Sequence, residues 1–403
     1  MNRRVVVTGM GVVSPIGTGI QNFLLSLKTG KSGIRFIPEL KELNFGCQVG
    51  GIPDESVSPF LEILDKYNLN AASNIIRYAI IAAIEAWMDA GLIIPEFQSS
   101  EVDYNTGSII GSGIGPADIF GSRIIPLTNE KNIKRLRSTI VEHSMLSGAS
   151  ANLAGILALG NRISFNSSAC STSTESIILS YELIKSGKAE RMISGGSEAY
   201  SPYGWSGFDA MRVIARKFNE NPEQASRPMS ESADGFVPGA GAGILILEEL
   251  NSAINRKAKI YGEIVGAYIN SGGQRNGGTM TAPNSEGVIR CITGAINDAN
   301  IHPDQIDYIS GHLSSTMADI LEIRNWADAL NRKGISFPYI NSLKSLTGHC
   351  IGAAGAIETI ATILEMNHQF LHPSLNCRDF HPEITSVIDE EKVTHNTINN
   401  VII

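Results

Sequence analysis

Nowhere along its 403 residues does the chain hold an apolar run approaching the roughly 18 residues needed to cross a bilayer. Its opening, Met1-Asn-Arg-Arg-Val-Val-Val-Thr-Gly9, carries too short an apolar stretch for a secretory leader, so the expected compartment is the cytoplasm. Cysteine is scarce. Cys47, Cys170, Cys291, Cys350 and Cys377 are odd in number, widely spaced and without a CxxC pair. That pattern supports neither a disulfide framework nor a zinc site, and it fits a reducing compartment. Positive charge is short as well: 32 Lys and Arg against 40 Asp and Glu leave a net charge of −8. This argues against a general role on nucleic acid, though not against a local basic patch. Charged residues make up only 18% and hydrophobic ones 43%, the balance of a well-buried globular enzyme. No short-period repeat is present.

What the chain has in quantity is length and glycine. Its length exceeds the usual size of a single core, so two domains or a duplicated one are expected. The 40 glycines cluster in short motifs and form no linker. Arg4–Thr8 reads as a buried strand closing on Gly9-Met-Gly11. The third glycine of a dinucleotide-binding turn is missing, and Pro15 sits where its helix would open. Helical spacing marks 18–29, 75–90 (Ile76, Ala79, Ile80, Ala83, Ile84 and Trp87 on one face), 284–299, 317–331 and 353–367. Strands are expected at 106–111, 163–168, 191–194, 244–247, 258–268, 306–310 and 339–341, with 34–53 irregular or strand-like and a last strand begun at 400–403. The alternation predicts an α/β fold. Its similar order in the two halves predicts duplicated βαβ-type domains, 1–250 and 251–403.

Three clusters fall at strand-to-loop transitions, where α/β sheets gather active sites. The first is Asn166-Ser-Ser-Ala-Cys170-Ser-Thr-Ser-Thr, followed by Ile177, Ile178, Tyr181, Leu183 and Ile184 at helical spacing and by Gly187. Cys170 should therefore sit at a helix N-terminus, where about half a positive charge favours a thiolate. A small buried apolar residue is the competing reading, and it weighs as heavily on this stretch alone. The second cluster is Ser310-Gly-His312 running to Thr316, Asp319 and Glu322. The third is Asn341-Ser-Leu-Lys344 running to His349. Lone histidines such as His143, His302, His368, His372, His381 and His395 read as structural or exposed. Two histidines in matching positions after successive strands, joined to a helix-end cysteine, point to acyl-thioester chemistry. The thiolate would hold the acyl group, and the imidazoles would donate to an oxyanion. The basic stretch Arg123, Lys131, Lys134, Arg135 and Arg137 reads as a solvated helix face or as a docking surface for an acidic partner.

With these residues in place, the chain resembles the beta-ketoacyl-[acyl-carrier-protein] synthases of the elongating, thiolase-fold type. The resemblance runs nearly end to end. It covers VVVTGMGVVSPIG, SACST, GGSEA, SRP with DGFVPGAGAG, and KSLTGHCIGAAGAIE. It implies a layered α/β/α/β/α thiolase-like fold and the decarboxylative condensation of an acyl thioester with a malonyl thioester. By resemblance Cys170 is the acylated nucleophile, and His312 and His349 activate the malonyl group. Lys344 supports His349, and Glu322 is the acidic residue downstream of the first histidine. Thr281, Ser314 and Thr316 fall where the family contacts the phosphopantetheine arm, while Ile110 and Ile114 bear on pocket depth. No resident cofactor or metal is implied, since phosphopantetheine arrives on the acyl carrier protein. A homodimer is implied, with 163–168 as the contact.

The sequence departs from the family pattern in three places. Leu313-Ser-Ser-Thr316 replaces the usual Gly-Thr-Ser-Thr, with Glu322 one residue early, which would narrow the loop in a branch with altered substrate handling. Basic residues before the helix at 72–90 are reduced to Lys66, leaving Lys134, Arg135 and Arg212 for carrier docking. The family's closing Gly-Phe-Gly-Gly loop, expected after Ile403, is absent. A non-catalytic chain-length factor is the main rival, but such subunits lack the nucleophile. A degradative thiolase needs a second cysteine where this chain has His349 and Lys344. Starter-type synthases carry an asparagine in place of one histidine. A nucleotide-binding oxidoreductase ranks last.

Overall fold

A computed structural model of the chain describes residues 3–56, 60–96, 100–279 and 281–393. The strand expected at 400–403 lies outside them. In chain order the described strands are β1 (Val5–Ser14), β2 (Gly17–Thr18), β3 (Ile34–Phe36), β4 (Val49–Gly51), β5 (Thr106–Gly111), β6 (Ile163–Ser164), β7 (Arg191–Glu198), β8 (Gly241–Glu249), β9 (Gly262–Ile264), β10 (Tyr308–Ser310) and β11 (Tyr339–Asn341). The main sheet runs β2-β1-β8-β7-β5-β6, with β9 also on β1. β5 pairs parallel with β6 and β7, while β8 pairs antiparallel with β7 and β1. β10 and β11 pair parallel in a second, smaller sheet, as a crossover helix between them requires. β9 belongs to the second half of the chain yet completes the sheet of the first.

The helices of ten residues or more are α1 (Ile20–Thr29), α2 (Asn74–Asp89), α3 (Gly148–Leu157), α4 (Thr172–Lys185), α5 (Ser285–Ala299), α6 (Ala318–Leu330) and α7 (Ala354–His368). Strand alternation divides the core. Ile110, Ile193, Ile244 and Ile246 face α2 and α3. Ile109, Met192, Leu245 and Leu247 face α4 and α7. On the far side of α7, β10 and β11 pack with α5 and α6 around Ile309, Ile340, Ile292 and Ile323. The order α2/α3, sheet, α4/α7, sheet, α5/α6 is the five-layered thiolase-like arrangement.

The helices expected at 18–29, 75–90, 284–299, 317–331 and 353–367 fall within a residue or two of those positions, whereas α3 was not expected. The strands match less closely. The glycines after 194 and before 244, read as loop, lie inside β7 and β8, where Gly196 pairs with Gly243. They are glycines because the neighbours come so close: a Cβ on Gly243 would meet Ile357 N at 2.6 Å, and one on Gly196 would meet Gly352 O at 2.6 Å. The expected strand 163–168 keeps only Ile163 and Ser164, and 258–268 keeps only Gly262–Ile264. Across 120–140 the chain forms a π-turn at Phe120–Ile124, a short helix, and a 3-10 turn carrying exposed Lys134 and Arg135. Among the described residues, no helix is long and apolar enough to cross a membrane. All five cysteines are free.

Candidate active site

Cys170 sits in a 3-10 turn, Ala169–Ser171, that feeds α4. Ala169 takes the left-handed conformation at φ 51°, a cost that an L-residue accepts only when its surroundings hold it there. They do. Thr172 Oγ1 donates to Ala169 O and accepts from Ser168 N, and Asn166 Nδ2 donates to Thr172 O. The turn brings Cys170 Sγ to 3.1 Å from His349 Nε2.

His349 follows β11 and the short helix Lys344–Thr347. Its backbone is clasped by the 234–243 loop: its N–H donates to Val237 O at 2.7 Å, and Gly239 N donates to its carbonyl at 2.8 Å. Phe236 lies edge-on to the ring, with centroids 5.2 Å apart. His349 Nδ1 accepts from the Ile351 N–H at 3.2 Å. An accepting Nδ1 leaves the proton on Nε2, so the nitrogen facing sulfur is a donor. Burial, then the charge of Lys344, hold the ring's pKa well below the ordinary value, so the imidazole is neutral.

His312 meets His349 edge-to-face with centroids 5.0 Å apart, and the ligand-type atoms of Cys170, His312 and His349 lie within 4.8 Å of one another. The charge of Lys344, ahead of burial, pulls the pKa of His312 down to about 3. The residue nonetheless keeps an accessible side, so the site is open there. Sulfur and two imidazoles also make a soft-metal ligand set, but a metal on His349 would need the lone pair where Nε2 carries its proton.

Lys344 is buried, and its Nζ donates to Glu358 Oε1. The structure thus gives Lys344 a carboxylate partner and has it act on both imidazoles through its charge. Glu322 accepts the backbone N–H groups of His312 (2.6 Å) and Leu313 (2.8 Å), fixing the His312 turn, and burial raises its pKa to about 7. The helix-end expectation for Cys170 is reversed. Burial pushes the thiol above its ordinary pKa, and the lowering by Lys344 does not offset it. The resting group is a thiol.

The remaining expected residues divide. Ser314 Oγ lies 3.1 Å from Thr316 Oγ1 on the loop after His312, and Asp319 accepts the backbone N–H of both residues. Thr281 is exposed, its N–H donated to Thr279 Oγ1. Ile110 lies in the α2/α3 core, on the face of β5 away from Cys170, because strand alternation sends Ile109 toward α4. Ile114 packs against the two small apolar clusters that hold Phe236 and Trp205. Leu313 does not narrow the site: its side chain is fully buried in the α5/α6 core. Lys134, Arg135 and Arg212 are exposed. Lys66, with its ammonium 5.2 Å over the Tyr67 ring, lines a cavity of about 640 Å³ bounded by Met145, Gly148, Asn152 and Gly155, which none of the three central residues lines. Sequence reasoning missed Glu358, Phe236 and Glu198, although all three lie within motifs already noted.

A nucleophile at a helix entrance, two neutral imidazoles and a five-layered fold define the thiolase-type condensing enzymes. Residues 2–253 match the family model for the beta-ketoacyl synthase N-terminal domain, and residues 261–378 that for the C-terminal domain; the chain belongs to the beta-ketoacyl synthase family. It is 36% identical over 383 residues to 3-oxoacyl-[acyl-carrier-protein] synthase 2 of Vibrio harveyi, covering 94% of this chain and 89% of that one. It is 33% identical over 401 residues to synthase 1 of Escherichia coli, covering 97% and 94%. Among solved structures, a beta-ketoacyl synthase from Burkholderia phymatum superposes with a TM-score of 0.87 at 28% identity, over 99% of this chain and 94% of that one. A ketosynthase in complex with its type II polyketide acyl-carrier protein, bound to the hexaketide, gives 0.85 at 30%, over 100% and 95%.

Proposed function

We propose that this chain is an acyltransferase that joins an acyl group held on Cys170 to a malonyl thioester delivered by an acyl carrier protein. The products are a 3-oxoacyl-carrier thioester and CO2. In the first half-reaction Cys170 attacks the acyl thioester, and its proton goes to the departing pantetheine thiolate. In the second, the bond between the malonyl Cα and its carboxylate breaks. CO2 leaves, and the electron pair becomes an enolate whose oxygen accepts from the imidazole N–H groups. The carbanion then attacks the acyl carbonyl, the C–S bond to Cys170 breaks, and one proton restores the thiol. The carrying observation is a neutral His349 whose protonated Nε2 stands 3.1 Å from Cys170 Sγ. A complete nucleophile-and-histidine set speaks against a non-catalytic chain-length factor.

No resident cofactor enters this scheme; the phosphopantetheine arm comes with the carrier and would run past Ser314, Thr316 and Thr281. Exposed Lys134, Arg135 and Arg212 suit an acidic carrier. The second copy in a homodimer would meet β6, the edge left unpaired among the described residues, and the neighbouring exposed face of α3. Five free cysteines fit the cytoplasm. Incubation with an acyl-carrier thioester should give an acyl adduct on Cys170 by peptide mass spectrometry. Malonyl-carrier should then discharge it with release of CO2. An adduct that forms elsewhere, or one that malonyl-carrier leaves in place, would overturn the reading.

A further inference from the structure

Glu198 ends β7, the central strand, and is completely buried. Among the described residues no salt bridge reaches it. Four donors converge on it instead: Ser112 Oγ (3.0 Å) and Ile114 N (3.2 Å) on Oε1, Gly113 N (2.8 Å) and Gly352 N (3.0 Å) on Oε2. The first three belong to the glycine-rich turn after β5. The fourth belongs to the turn after His349, in the other half of the chain. The carboxylate therefore joins two turns that the sequence keeps apart. They are pressed together: a Cβ on Gly352 would meet Gly113 N at 2.3 Å, and one on Gly113 would meet Ala169 O at 3.1 Å.

Between His349 and Gly352 stands Ile351, at φ 47°. A β-branched residue in the left-handed region is strained, and it stays there only if its surroundings impose it. The result of that conformation is specific, because it aims the Ile351 N–H at His349 Nδ1. Simple electrostatics gives no reason for an acid here, since the charge of Glu198 pushes the Cys170 thiol further up.

We infer that Glu198 is a positioning residue for the condensation: it anchors Gly352 to the Gly113 turn, which holds Ile351 left-handed and so keeps the His349 proton on Nε2, facing Cys170. The inference rests on the condensing reading given above. It accounts for an acid beside the nucleophile by what it orients. The malonyl step, which needs a donor at Nε2, depends on the clamp. The nucleophilicity of Cys170 does not.

Glu198→Gln tests this. It keeps the shape but supplies one oxygen where there were two, so two of the four donors face an amide nitrogen. Malonyl-carrier decarboxylation should fall about 10–100-fold, the usual cost of losing an orienting partner behind a functional histidine. Alkylation of Cys170 by iodoacetamide should hold or quicken. In 15N-histidine-labelled protein, the His349 Nδ1 resonance should lose its purely unprotonated shift. Adding Ile351→Gly, which takes positive φ freely, should recover part of the lost rate. Wild-type decarboxylation with unchanged nitrogen shifts overturns the inference, as do an equal loss of alkylation and an absence of rescue. If Glu198→Gln does not fold, Ser112→Ala decides, because removing one donor should slow decarboxylation several-fold with alkylation intact, and no change would overturn it. The nitrogen spectrum needs no substrate, so it judges the clamp even if the wild-type protein shows no turnover.

Discussion

Lys344 lowers the pKa of both imidazoles, but not in the same proportion. For His312 its charge is the leading cause, whereas for His349 burial leads and the charge follows. Lys344→Met separates the two. Without the charge, His312 should return toward its ordinary value near 6.5, while buried His349 should stay low. In the wild type the His312 ring resonances should be flat between about pH 8 and pH 5, because the ring is neutral throughout that window. In the variant they should titrate within it, and decarboxylation should weaken on the acid side as imidazolium replaces the donor imidazole. His312 resonances that remain flat in Lys344→Met would show the lysine has no hold on that ring. The triad itself was legible because each member falls directly after a strand in a distinctive run of small residues. Glu358 and Glu198 were not, for a physical reason. An acid on an apolar helix or at a strand end shows its role only when the partner that satisfies it is known, and Lys344 and Gly352 come from other elements.

The elements meet at contacts with no room for a side chain. The N-termini of α4 and α7 cross where a Cβ on Gly355 would stand 2.0 Å from Thr174 Oγ1 and 3.2 Å from Thr174 Cβ. Gly355→Ala should therefore destabilise the fold by about 1–3 kcal/mol, as overpacking does, although alanine is the better helix former. Thr174→Ala removes the colliding hydroxyl, so the double variant should recover most of the loss. Denaturant midpoints of all four proteins would measure this coupling. Strictly additive effects would mean that the two helices do not touch there. The same closeness explains which elements the sequence predicted well. Helices α2, α4, α5, α6 and α7 carry long periodic patterns and end on recognisable caps, so their spans were readable. β7 and β8 were clipped at their glycines. The usual reading of glycine as a turn fails where a strand must admit a helix backbone, as Gly196 and Gly243 do. Along 120–140 no period exists to read, and the chain supplies π and 3-10 turns held by local bonds.

At the scale of the whole molecule, the main sheet ends openly among the described residues. β6 contributes two residues, paired on one side only, and beside it α3 presents Gly148, Ala151, Asn152 and Gly155 to the 640 Å³ cavity. Around that edge Val102, Tyr104, Val141, Met145 and Leu146 are 43–70% exposed. A stripe of small residues backed by exposed apolar ones, continuous with a free strand edge, is what a second copy would cover. Gly155 offers a clean probe, because a Cβ there meets nothing within 4 Å. Gly155→Arg should leave the single chain intact, and even favour α3 by about 0.5–1 kcal/mol through loss of an interior glycine. It should also drive a bulky charge into the proposed contact with a second copy. Sedimentation velocity should then show a dimeric wild type and a monomeric variant with an undiminished thermal midpoint. A variant that stays dimeric would move the interface off α3 and leave the cavity to another occupant.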